Sequence, residues 1–152
     1  MKKGMLVKLG GVALAASLLA GCENDAASYQ IDGKEHALIL MRDQRYFWSD
    51  NTELNVVVSR LPDCQRRYPL NSAPLPKAQL SVYEVAPTQY QLQQGDHWYL
   101  ADTGGCTLQP MEAAPDAPGK LIGTFDRKDD RLRFIPATAP AAASATAPEA
   151  AK

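Results

Sequence analysis

Between residues 29 and 136 no stretch of eleven or more residues sustains a helical period; apolar and polar residues alternate in short runs cut by turn-forming residues. Residues 53–60 show the pattern most plainly. Leu54, Val56 and Val58 fall on one side of an extended chain, Asn55 and Ser59 on the other, with Val57 between them. Runs at 29–31, 36–42, 45–48, 79–86, 90–93, 97–101, 106–111, 120–125 and 131–135 read the same way. The breaks have the chemistry of tight reversals: Asp32-Gly33, Ser49-Asp50-Asn51, Gly95-Asp96, Thr103-Gly104-Gly105 and the charged stretch 126–130. The pattern predicts an all-β fold, a small antiparallel sandwich or barrel of about eight or nine short strands. The proline-bearing segments 61–77 and 110–119 predict surface loops.

The ends of the chain differ from this middle. Residues 1–21 combine the basic start Met1-Lys2-Lys3 with an apolar stretch at 9–20 and small residues before a cysteine, the three-part layout of an export signal. Twelve helical residues span about 18 Å, well short of the roughly 30 Å hydrocarbon core, so the stretch suits a cleaved signal better than a permanent span. Leu19-Ala20-Gly21-Cys22 resembles the lipobox of bacterial lipoproteins. The resemblance covers only this junction. It implies that the signal is cut before Cys22, which receives a diacylglycerol thioether and an acylated amine with chains such as palmitate. It also implies an envelope address with the bilayer as a partner. In lipoproteins of enteric type an aspartate after the cysteine commonly signals inner-membrane retention, so Glu23 favours the outer membrane.

Residues 22–28 then read as a lipidated N-terminus with a polar tether, and 29–136 as the β-domain. The last segment, 137–152, holds nine alanines, two prolines and no large apolar side chain. It cannot bury enough surface to offset its ordering entropy and is expected to be disordered. A single β-domain of this size gains from a covalent staple.

Loss of the signal removes Lys2, Lys3 and Lys8 from 16 basic residues, leaving 13 against 17 acidic ones, a net charge of −4. Such a chain has no broad cationic footprint for phosphates, which argues against nucleic acid as a partner. Once Cys22 is acylated, Cys64 and Cys106 are the remaining pair in an oxidising compartment, and a disulfide between them is expected. Beside Cys64 the run from Arg60 to Tyr68 contains Arg60, Arg66 and Arg67, the densest basic cluster. On a pinned loop such guanidiniums can clasp a phosphate, a carboxylate or a partner; a solvated loop with locally paired arginines is the plainer reading.

The aromatic triplets Tyr46-Phe47-Trp48 and His97-Trp98-Tyr99 are expected mainly in the core, since strand alternation can expose only part of each. His36 and His97, the two histidines, have no companion at a zinc-ligand spacing, so no metal or other cofactor is implied. No Gly-x-Ser-x-Gly elbow, phosphate-cradling loop or His-Glu-x-x-His run occurs, and no catalytic residue is assigned. The sequence thus points to a non-catalytic binding or structural module of the envelope, with a protein or glycan as partner. A lysozyme-inhibitor-like or glycan-binding protein is one alternative, and a small hydrolase of envelope polymers with paired carboxylates is another.

Overall fold

The computed structural model describes residues 24–46 and 48–138. The signal, Cys22, Glu23 and the tail from residue 139 lie outside the described residues, and with them the expectations of lipidation and disorder. The alternation at 53–60 is realised in β3 (Asn51–Arg60), where Thr52, Leu54, Val56 and Val58 point inward and are fully buried. It belongs to a five-stranded antiparallel sheet with β1 (Asn24–Asp32), β2 (His36–Asp43), β4 (Cys64–Pro69) and the two-residue β5 (Ala73–Pro74). The order is β1-β2-β3-β4, and β5 pairs with β3.

The second sheet has six antiparallel strands: β6 (Leu80–Ala86), β7 (Gln89–Gln94), β8 (His97–Asp102), β9 (Thr107–Met111), β10 (Lys120–Lys128) and β11 (Arg131–Pro136), in the order β11-β10-β6-β7-β8-β9. The hairpins have the required backbones. Gly95 takes φ 57° at the first position of the β7–β8 turn, and Asp129 and Asp130 take φ 52° and 60° between β10 and β11. The inner faces meet in one core. Leu38, Leu40, Val56 and Val58 come from the first sheet, and Val82, Leu92, Ala101 and Phe125 from the second. Burial of each such side chain contributes about 1.5–3 kcal/mol.

The all-β sandwich is as expected, but the described residues form eleven strands rather than eight or nine. Three local expectations also change. The expected tether at 24–28 is the first half of β1, pairing from Asn24↔Asp43 to Ser28↔Ile39, because Asp25 and Ala27 occupy inward positions where large apolar residues were sought. The expected loop at 61–77 contains β4, β5 and a short 3-10 turn at Leu75–Lys77. Gln65, Arg66 and Arg67 hide β4 because it is a sheet edge, where polar and charged side chains are tolerated. The expected strand at 45–48 is instead part of the β2–β3 connection.

Both open sides of the sandwich are closed. On one side β1 lies against β11: the Asp25 carboxylate accepts a hydrogen bond from the Leu132 backbone N–H at 2.5 Å and one from Arg42 Nη2 at 3.4 Å. Arg42 is an inward residue of β2 and only 1% exposed. On the other side β4 is linked to the β8–β9 turn by a disulfide. The chain enters at Asn24, beside Asp43, and β11 ends at Pro136, beside Gly123, at the opposite end of the strands. These are called the entry end and the exit end below. A nine-residue strand such as β1 separates them by about 30 Å.

Between β9 and β10, residues 112–119 run across the outer face of the six-stranded sheet. Gly119 donates its N–H to the outward-facing Gln91 Oε1 at 3.1 Å. It packs so closely that a Cβ there would run into the Glu84 carbonyl, so only glycine fits. On the same face Trp98, 8% exposed, lies against the Tyr83 ring, 5.5 Å between centroids.

Candidate functional site

The cysteine pairing is realised. Cys64 and Cys106 are joined with their Cα atoms 6.0 Å apart, and the Tyr68 hydroxyl donates to the Cys106 carbonyl at 2.7 Å. The arginines beside it do not converge. Arg60 ends β3 at the exit end, 4.0 Å from Asp63. Arg67 lies on the outer face of the first sheet, where its Nη2 reaches Asp43 at 3.5 Å and the Met41 sulfur at 3.1 Å. Arg66 is its strand neighbour and points the other way. Because residues 64–69 are a strand and not a loop, alternation divides the expected anion clasp between two faces and one end.

The histidines are also apart. At the exit end His36 Nε2 lies 2.8 Å from the hydroxyl of fully buried Thr103. Burial, with Arg60 nearby, holds the imidazole below its ordinary value against a weaker opposing pull from Asp32. His97 begins β8 at the entry end. Among the described residues no group of three or more His, Cys, Asp or Glu side chains is placed to hold a metal ion.

The entry end gathers more functional chemistry. Tyr46 and Trp48, expected in the core, stand out of the β2–β3 connection at 54% and 69% exposure. Their rings stack on each other at 5.0 Å between centroids and 18° between planes. Phe47 lies outside the described residues. The connection is internally braced: Ser49 N–H donates to the Tyr46 carbonyl at 3.0 Å, and Gln44 Nε2 donates to the Ser49 carbonyl at 2.8 Å. Asn24, the first residue of β1, and Tyr46 line one surface depression of about 410 Å³. Arg45 pairs with Glu53 at 2.9 Å beside it.

Across the same end a groove of about 390 Å³ is lined by Asp96, His97, Trp98 and Glu112, with Asn71 and Tyr99 along its wall. Tyr99 behaves as the sequence suggested and is buried. Its hydroxyl donates to Gln94 Oε1 at 3.3 Å and accepts from Asn71 Nδ2 at 3.2 Å. Burial raises its pKa, and the contact with Asn71 opposes that rise. Asp96 and Glu112 are both exposed, without the apolar enclosure that sets apart a catalytic acid.

Comparison with protein-family models, with curated proteins and with solved structures gives no match. The functional reading therefore stands on the chain's own residues.

Proposed function

We propose that this chain is a membrane-anchored envelope lipoprotein whose β-sandwich is a non-catalytic binding or structural module. It is exported and cut before Cys22, and the new N-terminus is acylated and held at the outer membrane. The observation that carries the reading is proximity along the chain: the lipobox ends at Cys22, and Asn24, two residues on, is already paired with Asp43 in β1. The Cys64–Cys106 bridge supports it, because such bonds persist in the periplasm and are rare in the cytosol. More than one acyl chain gives stable anchoring, which the modified cysteine supplies. The test is labelling of producing cells with an alkyne fatty acid. The wild-type chain incorporates the label and fractionates with the outer membrane, and Cys22→Ala does neither. Label retained by Cys22→Ala overturns the reading.

One observation favours a second reading, a hydrolase of envelope polymers: Asp96, His97 and Glu112 share a groove. Purified mature chain should then clear peptidoglycan in an activity gel, and Asp96→Asn or Glu112→Gln should abolish clearing. Absence of clearing by the wild type removes it.

A further inference from the structure

The stacked pair at the entry end has a definite relation to the membrane. Asn24 pairs with Asp43, and the connection that carries Tyr46 and Trp48 begins at the next residue, Gln44. Cys22 is two residues before Asn24, and two trans peptide units reach at most about 7.6 Å between Cα atoms. A bilayer's polar layer is about 5–8 Å thick on each side of its hydrocarbon core. With acyl chains of Cys22 in that core, Asn24 is held within or just above the headgroups. The adjoining aromatic connection is then pressed against the same layer.

The chemistry of the connection suits that place. Tyr and Trp rings are apolar bodies with one hydrogen-bonding edge, and they concentrate at membrane interfaces. Two hydrogen bonds, from the Ser49 N–H to the Tyr46 carbonyl and from Gln44 to the Ser49 carbonyl, brace the described residues of the connection and lower the ordering needed on contact. Basic groups at this end are held on acids, with Arg45 on Glu53 at 2.9 Å, Arg67 on Asp43 at 3.5 Å and Arg127 on Asp130 at 3.0 Å. With these basic groups held on acids, the two rings and not charge attraction are what meets the phospholipid headgroups.

Resting on the lipidation of Cys22 proposed above, we infer that Tyr46 and Trp48 of the β2–β3 connection form a second membrane contact, seated among phospholipid headgroups beside the anchor. The contact fixes the sandwich upright. The exit end, with Pro136, His36 and the disulfide, then stands about 30 Å from the headgroups, and residues 137–152 continue from there.

The experiment separates this contact from the lipidation on which it rests. Unacylated mature chain, with Cys64 and Cys106 oxidised, is coupled through the Cys22 thiol to maleimide-phosphatidylethanolamine in phosphatidylethanolamine/phosphatidylglycerol vesicles. The anchor is then present whether or not cells supply it. The chain has two tryptophans, and Trp98 is buried. Brominated phospholipid should quench and shift to the blue the emission of the wild type, and Trp48→Phe should lose that quenching. Tyr46→Ser should weaken it. Quenching that is absent in the wild type, or undiminished in Trp48→Phe, overturns the contact. So does Trp48 emission that answers to soluble peptidoglycan fragments and not to brominated lipid. Failure of fatty-acid labelling in cells overturns the lipidation alone.

Discussion

Reduction of the Cys64–Cys106 bridge should loosen one side of the sandwich by a predictable amount. The bridged residues are separated by 42 positions, and opening a loop of that length restores denatured-state entropy equivalent to about 4 kcal/mol at 25 °C. Spread over the unfolding entropy of a domain of about 110 residues, this corresponds to a fall in Tm of roughly 15 °C. Reduction retains both sulfurs, so it isolates the cross-link. Replacing both cysteines with alanine should cost of the order of 1 kcal/mol more, because Cys106 is fully buried and leaves a void. The assay is urea and thermal unfolding of the mature Cys22→Ser chain followed by circular dichroism, oxidised and reduced. Hydrogen exchange should quicken first in β4, an edge strand that the bridge ties to the other sheet. A reduced chain that melts within about 3 °C of the oxidised one refutes the reasoning.

Gly119→Ala should dislodge residues 112–119, since its Cβ would meet the Glu84 carbonyl, and destabilise by about 2 kcal/mol or more. If that segment shields Trp98 on the outer face of its sheet, its emission should move to the red; an unshifted spectrum counts against such shielding. The depressed His36 contributes stability that is present above the ordinary imidazole value of about 6.5 and lost as pH falls through its lower folded value, because the unfolded chain takes up the proton first. Urea midpoints between pH 7.5 and 5 should fall for the wild type and less steeply for His36→Gln. Tyr90, pushed up to about 12 by burial with Tyr29 and Glu84 nearby, should remain protonated well above the ordinary phenol range in an ultraviolet titration. An ordinary tyrosine titration for every ring contradicts that burial.

Strands whose inward residues are large and apolar were legible in the sequence, as at Leu54, Val56 and Val58 in β3. So was the bridge, by elimination of Cys22. The start of β1 was not legible, because its inward Asp25 is accommodated by partners far away in the chain, Arg42 and the Leu132 backbone, the latter 107 positions on. The same contact shows why an arginine inside an apolar run need not break it: Arg42 is buried in β2 against that carboxylate. The aromatic triplets misled in one case only. Tyr46 and Trp48 satisfy each other by stacking outside the core, whereas Trp98 is buried against Tyr83 and Tyr99 joins the core. Which arginines meet was likewise hidden, since it depends on whether residues 64–69 are strand or loop.

The central claim is that Cys22 is an acylated N-terminus set directly against the fold. Mass spectrometry of the N-terminal peptide, from protein extracted out of the membranes of producing cells, tests it most directly. The account predicts a peptide that begins at Cys22 and carries a thioether-linked diacylglycerol and an acylated amine. A peptide that begins elsewhere, or a free Cys22 thiol, contradicts it.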